Sequence, residues 1–329
     1  MKRLPVVLAA LLAFAAEAVD VGLTRLAPAD YSAVILIDIR RMLGNRDVQR
    51  VMASRGAATR FSEVESVGLR IARIRELAVF LWDSHWYGVM RFEGAAELER
   101  ELARRSADGK SKIAAEVVAG TRIYRLKRPP KPDGRHKTKE LCLVFPGGET
   151  VVLAKAAEVA NFLTCRRLDP AAAAQLADTD AEMWCEYRGK PAEKKPDEEL
   201  DNVFDMRLKK GVLAIRLTGA DRRRVDITGV GEFSDPAAAR SMGTTLPGIL
   251  AFLTGIVFAE DPEGGDELVR ALRSEVKGGE LLLSLSASEE MFRRFLRAEE
   301  AFLSEKKHGR GGARSPRRNN RKHGIDPRR

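Results

Sequence analysis

The apolar residues in the first part of the chain recur in patterns that predict a strand, a hairpin and a helix. Residues 33–39 form a continuous apolar run, which is typical of a strand covered on both faces. Apolar side chains alternate through residues 77–81 and again through 86–92, so residues 83–85 are predicted to form a hairpin turn. Residues 95–102 then place apolar side chains at helical spacing and predict an amphipathic helix.

The next part of the chain predicts more strands and a long loop. Residues 116–127 and 141–145 predict a pair of strands split by a basic loop, because the intervening PPKPDG can continue neither a strand nor a helix. Residues 151–153 predict a strand that leads into a helix, and residues 181–187 predict a further strand.

The second half of the chain shows a similar order of patterns. Residues 213–217 and 225–227 predict a hairpin, and the shift of the alternation at Gly229 predicts a β-bulge there. The dipeptide at residues 235–236, Asp-Pro, predicts the start of a helix. Residues 281–285 predict a strand before a last helix that opens with a capping box.

The similarity of the two halves predicts a duplicated unit. Residues 91–105 resemble residues 231–245, and residues 149–163 resemble residues 279–296, in their order of strand, turn and capped helix. The predicted fold class is therefore α+β, with two related hairpin–helix–strand–helix units, antiparallel sheets and helices packed on one face. The predicted boundaries are listed in chain order: signal peptide 1–18, first unit 19–189, linker 190–200, second unit 201–304, disordered basic tail 305–329.

The first residues, MKRLPVVLAALLAFAAEA, have the composition of a secretory signal peptide. A basic start is followed by a short apolar stretch and by small residues that suit cleavage after Ala18. We therefore expect a secreted or periplasmic protein, with an uncleaved N-terminal anchor as the alternative. The apolar residues 246–259 are too short and too rich in Pro and Gly to span a bilayer, so they are predicted to form a buried helix and not a transmembrane segment.

The positive charge of the chain is concentrated at its C-terminal end. The net charge is +10, and residues 305–329 contain ten Lys and Arg residues against two acidic residues. The remaining body is close to neutral, whereas the tail lacks the apolar residues needed to fold. We expect the tail to contact an anionic polymer or envelope component, such as an envelope polysaccharide or a nucleic acid. The candidate contacts are Arg310, Arg314, Arg317, Arg318, Arg321 and Lys322.

The three cysteines of the chain leave two possibilities open. Cys142, Cys165 and Cys185 show no CxxC spacing and occur in strand-like or helical runs, so they are predicted to be small buried apolar residues. Export to an oxidising compartment favours disulfides, so one disulfide with one free thiol is the alternative.

Candidate catalytic and metal-binding residues are few. His85 follows Asp83 and Ser84 at a turn, but adjacent side chains diverge and cannot form a hydrolase triad. Asp38 is an acid in an apolar strand, where shielding from water would raise its pKa; the alternative is an ion pair with Arg40 or Arg41. Residues 178–189 lack the Gly and Glu of a calcium loop, and residues 229–234 lack the third Gly of a dinucleotide fingerprint. The sequence predicts no cofactor and no metal.

Together these patterns predict a function in binding and not in catalysis. We expect an exported, non-enzymatic binding or assembly module whose basic tail contacts anionic polymers. One alternative is a secreted hydrolase, which would need a pocket at His85 or Asp38 with a converging partner. Another alternative is a protein that uses residues 246–259 as a contact helix for an apolar ligand or a membrane, which a fully buried helix would argue against.

Overall fold

A computed structural model describes most of the chain. The described residues are 21–44, 49, 68–82, 85–108, 113–126, 140–177, 181, 183–189, 208–218, 224–258, 261–294 and 297. The predicted leader, linker and tail lie outside them, so their boundaries stay predictions.

The twelve described strands form one antiparallel sheet. Their order across the sheet is β11-β12-β10-β9-β8-β1-β2-β3-β7-β6-β5-β4. The strands are β1 Ala33–Asp38, β2 Ile74–Trp82, β3 His85–Phe92, β4 Ile113–Val118, β5 Thr121–Leu126, β6 Leu141–Gly147, β7 Thr150–Lys155, β8 Met183–Arg188, β9 Leu208–Thr218, β10 Arg224–Phe233, β11 Leu272–Lys277 and β12 Glu280–Ala287.

The pairing of β8 with β9 contradicts the predicted fold class. β8 belongs to the predicted first unit and β9 to the second, and the two strands pair antiparallel, with Cys185 opposite Leu213. The strands expected in the sheets of two separate units therefore form one continuous sheet, and the prediction of two α+β units is wrong. The sequence patterns locate strands, but they do not say which strands from distant parts of the chain pair with each other.

The helices cover both faces of this sheet. We call the face that carries Val34, Leu36 and Phe80 the first face, and the face that carries Ile37 and Leu143 the second face. The helices are α1 Val21–Thr24, α2 Ile39–Met42, α3 Ala95–Ala107, α4 Val159–Thr164, α5 Pro170–Ala177, α6 Pro236–Val257 and α7 Pro262–Ala271, and residues 289–294 are also helical.

The cores show which helices pack on which face. Residues of α4 and α5, with Leu23 of α1, pack with Val34 and Phe80 on the first face. Residues of α3 pack on the second face over β3 to β7, and α7 with residues 289–294 packs there over β8 to β12. The prediction that all helices lie on one face is wrong, because α1, α4 and α5 cover the opposite face from α3, α6 and α7.

Among the residues that the structure describes, no helix lies over the first face of β9 to β12. Residues that face this way from β10 and β12 alternate with buried residues; Val230 is 42% exposed, and Thr228 and Ser284 are exposed. The neighbouring positions Val225 and Leu285 are buried on the second face. Strands β9 to β12 therefore have the pattern of a sheet with one packed face and one solvated face.

Two local predictions, the β-bulge at Gly229 and the single strand over residues 116–127, are wrong. The pairing of β9 with β10 runs without interruption through Gly229, and the irregularity lies between Glu232 and Phe233. The single strand predicted over residues 116–127 is instead a hairpin, because Ala119 and Gly120 both adopt positive φ and turn the chain. Each error comes from a side chain on the open or edge side, where apolar periodicity carries little information.

The junctions between strand and helix do match in the two halves. The backbone N–H of Phe92 donates to the carbonyl of Glu149 (2.7 Å), and that of Phe233 donates to the carbonyl of Gly279 (2.9 Å). These contacts fall within the segments that resemble each other in sequence. The duplication itself stays a prediction.

Candidate functional site

The structure describes a groove on the first face of the sheet. Its volume is ≈ 560 Å³, and it lies at the end of β2 between α4 and the segment that follows α1. Trp82 forms an apolar wall and is itself 7% exposed. The lining residues are Ala29, Asp30, Trp82, Asn161, Thr164, Cys165 and Arg166.

Backbone pairing holds the two walls of the groove together. The N–H of Ala29 donates to the carbonyl of Arg166, and the N–H of Leu168 donates to the carbonyl of Ala27, each at 2.9 Å. Asp30 and Arg166 are therefore placed on one rim, and both are exposed. The groove thus presents one carboxylate, one guanidinium, an amide and a hydroxyl around an aromatic wall.

Arg167 holds together the segments that form the groove. One guanidinium nitrogen donates to the carbonyl of Leu26 (2.9 Å), to the hydroxyl of Tyr87 (3.2 Å) and to the sulfur of Cys165 (3.1 Å). The guanidinium also lies 4.4 Å from the centroid of the Phe162 ring. Because these partners come from three separate segments of the chain, Arg167 ties the N-terminal segment and α4 to the sheet.

The thiol in the groove is not an activated nucleophile. Burial raises the pKa of Cys165, and the nearby Arg167 offsets only part of that increase. Burial also raises the pKa of Cys142 and of Cys185 to about 11. All three cysteines are free thiols in the structure. A thiol whose pKa is raised stays protonated near neutral pH and is a poor nucleophile.

His85 acquires a partner that the sequence did not indicate. Its Nδ1 contacts Oε2 of Glu158, a carboxylate that is 7% exposed and precedes α4. The imidazole packs beside Trp82, with ring centroids 5.5 Å apart, and so lies next to the groove without lining it. Lys155 approaches the other carboxylate oxygen of Glu158 at 4.0 Å. Glu158 was missed because no local motif links it to a histidine so distant in sequence.

Asp38 has a structural role. It is 5% exposed, and its Oδ1 accepts a hydrogen bond from the backbone N–H of Arg41 (2.9 Å) at the start of α2. Asp38 therefore caps the N-terminus of α2 through a backbone hydrogen bond. No cavity wall described in the structure includes Asp38.

Other predicted residues fall outside the described part of the chain. These include Asp83, Ser84 and most of the basic loop. They also include Asp178, Asp180 and Glu182, the acids of the segment compared with a calcium loop. The tail contacts Arg310, Arg314, Arg317, Arg318, Arg321 and Lys322 are also outside it. Within the described ranges, no three His, Cys, Asp or Glu side chains are grouped to hold a metal ion.

Charges on the described body are largely matched by neighbours of opposite sign. Arg125, for example, pairs with Glu116 and with Glu140, the latter at 2.9 Å. Further arginine–carboxylate pairs are Arg75–Glu149, Arg91–Glu76, Arg104–Glu101, Arg188–Glu186, Arg294–Asp261 and Arg297–Glu290. Many arginines of the described body thus lie beside a carboxylate.

Comparisons with known proteins give no family. Neither a scan against models of protein families nor a search of curated proteins finds a match. One solved structure, titled "Structure of crystal form I of TP0453", is similar over 85% of this chain and 96% of that chain, with 9% identity and a TM-score of 0.41. A likeness this distant carries no argument about function.

Proposed function

We propose that the protein is an exported binding module without catalytic activity, and that its basic tail tethers it to an anionic component of the cell envelope or its surroundings. The observation that carries this proposal is the separation of charge. The body is near neutral and pairs its arginines internally, whereas residues 305–329 hold ten cations and two acids. A cationic chain of this kind binds polyanions with little sequence preference and with strong dependence on salt.

Two further observations favour binding over chemistry. Burial raises the pKa of the one thiol in the groove. The groove carries polar side chains of mixed charge on its rim, which suits recognition of a small polar molecule as an additional ligand. Neither feature supplies the activated nucleophile that hydrolysis by covalent catalysis requires.

The tether is tested with a full-length variant in which the six candidate tail contacts become Gln. Binding to heparin and to duplex DNA is measured across a range of salt concentrations. We expect the log–log salt slope on DNA to fall by up to about 5, because each lost phosphate contact removes about 0.9 from it. The matched control changes six cations of the basic loop to Gln: Lys127, Arg128, Lys131, Arg135, Lys137 and Lys139.

The loop variant is expected to change the slope much less than the tail variant. If the tail variant retains the slope of the wild type, the tail does not form the tether. If the loop variant loses it instead, the anionic partner binds at the loop and the proposal is replaced.

A secreted hydrolase is the second candidate, because the structure gives His85 a converging carboxylate beside a groove. His85→Gln separates the two candidates. Hydrolysis of p-nitrophenyl acetate by the wild type and by the variant is compared with the uncatalysed rate. A binding module gives the background rate in both cases, whereas turnover that His85→Gln abolishes would establish the hydrolase.

A further inference from the structure

The two outer strands of the sheet differ in what occupies their outer edges. β4 ends one side of the sheet and β11 ends the other, so among the described strands each has one neighbour. At β4, the hydroxyl of Ser106 in α3 accepts a hydrogen bond from the backbone N–H of Ala115 (2.9 Å). This contact closes the middle of the β4 edge, because a side chain takes the place that a further strand would need.

The pairing of the neighbouring strands shows which backbone groups of β11 point away from the sheet. The N–H of Phe233 in β10 donates to the carbonyl of Gly279 (2.9 Å), so the odd-numbered residues of β12 form the hydrogen bonds to β10. The even-numbered residues of β12 therefore bond the odd-numbered residues of β11. The even-numbered residues of β11 consequently direct their backbone groups outward.

Three residues of β11 are thus directed outward: Leu272, Ser274 and Val276. The N–H of Leu272 is already used, because it donates to the carbonyl of Val269 at the end of α7. Among the described residues, no strand pairs with the remaining groups. The edge of β11 can therefore accept another antiparallel strand, whereas the edge of β4 is closed at its middle.

The apolar side chains of β11 are covered by helices of the same chain. Val276 packs with Phe233 and Leu281 beside α6, and Leu272 packs in the core that includes α7. Helix α6 is the longest described helix, and within the described part of the chain no helix combines the length and hydropathy that crossing a bilayer requires. A further strand at β11 would extend the apolar layer that already exists on this face.

The side chains on the opposite face of β11 alternate in charge. Arg273, Glu275 and Lys277 are all exposed there, and Nζ of Lys277 lies 3.1 Å from Oε2 of Glu275. Charges on an edge strand discourage pairing with strands whose charges do not match. They favour one register when a partner presents opposite charges at the opposing positions. The charge pattern of β11 therefore selects a matching partner.

A second copy of β11 supplies these opposing charges. In a two-fold antiparallel pair centred on Ser274, Arg273 of each copy lies opposite Glu275 of the other. These are non-hydrogen-bonded positions, where opposed side chains come closest. Leu272 then lies opposite Val276 on the other face. Centring the pair on Arg273 or on Glu275 would instead place like charges opposite each other.

The same register uses the outward backbone groups. The N–H and C=O groups of Ser274 exchange hydrogen bonds with those of the second copy, and Val276 of each copy donates to Leu272 of the other. A pair centred on Val276 would run into the turn at Gly278, where φ is +60°. We propose that two copies of the chain pair antiparallel along β11, centred on Ser274, and form one continuous sheet.

The strand edges alone make a small interface, so the dimer is reversible and depends on concentration. A stable dimer buries about 1,200 Å² or more in total, and a pair of six-residue strands contributes only part of that area. The inference goes beyond the proposed tether and uses no residue of the tail. Failure of the tail variant to lose heparin binding therefore leaves it unaffected.

The test is sedimentation equilibrium of the purified protein at physiological salt, where exposed charges more than about 8 Å apart are largely screened. We expect a dimer with a dissociation constant of about 10–100 µM. Arg273→Glu and Glu275→Arg should each weaken it about tenfold, because like charges then face each other at two positions. An equimolar mixture of the two variants should regain the affinity of the wild type, because every opposed pair again has opposite signs.

Each outcome decides the proposal. A wild type that stays monomeric up to about 1 mM would overturn it. Dimers that both single variants retain would place the interface elsewhere. A mixture that dimerises no better than its components would show that Arg273 and Glu275 do not face each other.

A second pair of variants tests the backbone edge. Ser274→Pro removes the outward N–H at the centre of the pair and leaves the hydrogen bonds to β12 in place, since proline is tolerated at outward positions of an edge strand. Val117→Pro is the matched control, because Val117 lies at an outward position of β4 and is 69% exposed. Ser274→Pro should be monomeric and Val117→Pro should dimerise. The opposite result would assign the dimer to β4.

A cross-link reports the register without any proline. The opposed Cα atoms of a hydrogen-bonded pair lie about 5.5 Å apart, which is within the range of a disulfide. Oxidised Ser274→Cys should therefore form a covalent dimer in high yield, whereas Val117→Cys and the wild type should not. Equal yields from Ser274→Cys and Val117→Cys would contradict the proposed pairing.

Discussion

The two halves of the sheet differ in how completely they are covered. In the part of the chain that the structure describes, β1 to β7 have helices on both faces, whereas helices cover β9 to β12 on the second face alone. Of the eleven largest side chains that are fully buried among the described residues, ten belong to the first half of the chain and only Phe258 to the second. The continuous sheet therefore joins a densely covered half to a half whose first face is open among these residues.

This difference predicts which half of the sheet is the more stable. Apolar area removed from water is the largest favourable contribution to folding, so the doubly covered half should be the rigid framework. The groove also lies in this doubly covered half.

The largest expected effect comes from a cavity in the doubly covered half. Phe80 is fully buried, so Phe80→Ala should reduce the free energy of unfolding by about 4 kcal/mol. The control is Phe252→Ala, which removes the same atoms from an exposed site and should change stability by less than about 0.5 kcal/mol. Urea denaturation measures both, and similar losses in the two variants would contradict the contrast between the halves.

A smaller loss of stability is expected when the hydrogen bonds of Arg167 beside the groove are removed. Arg167→Met removes hydrogen bonds to Leu26, Tyr87 and Cys165 and should cost about 2 kcal/mol, since partly buried acceptors are left unsatisfied. Arg297→Met is the control, because that arginine is exposed and bonds Glu290 on the same helix. Thermal unfolding that shows equal stability for the two variants would mean that Arg167 does not tie the N-terminal segment to the sheet.

Two glycines of α6 should respond in opposite directions. A methyl group at Gly243 would lie 2.8 Å from Cγ2 of Val276, so Gly243→Ala should destabilise the fold by about 1 kcal/mol. Gly248 faces open space, so Gly248→Ala should stabilise it by about 0.5–1 kcal/mol through helix propensity. Calorimetry of both variants checks the pair, and the same sign for both would show that the two ends of α6 are equally covered.

The smallest effect is a dependence on pH at the open face. Burial alone would raise the pKa of Asp226, but hydrogen bonds from Ser286 and Thr218 and the charge of Arg224 hold it below its ordinary value of 3.8. A lowered pKa in the folded state stabilises the fold above the ordinary value, and this contribution is lost as the pH falls through the folded pKa. Asp226→Asn should therefore cost under about 1 kcal/mol at neutral pH.

Acid titration of stability supplies the check on this last effect. The difference between the wild type and Asp226→Asn should shrink as the pH falls below 3.8. A difference that stays constant across this range would mean that the Asp226 carboxylate is not the group responsible.

The pattern of apolar and polar residues predicted most strands correctly, but it did not predict how the strands are arranged in the sheet. Alternation of apolar residues in the sequence located β2, β3, β9, β10 and β12. It did not show that β8 pairs with β1, since that pairing joins segments far apart in sequence. Apolar residues 246–259 indicated a helix correctly, yet hydropathy alone did not reveal that Phe252 faces solvent.

The groove could not be predicted from the sequence, for a related reason. Its walls come from segments around residues 29, 82 and 161–166, which no motif connects. Arg167 was not distinguishable from other surface arginines, because its partners are backbone carbonyls and a hydroxyl supplied by distant segments. The prediction about the tail, in contrast, rests on charge composition, which can be counted without a structure.

Hydrogen exchange of the full chain is the most direct test of the division between the doubly covered half of the sheet and the half with an open face. Amides of β2 and β3 should exchange far more slowly than those of β11 and β12. Equal protection of these two pairs of strands would contradict the account.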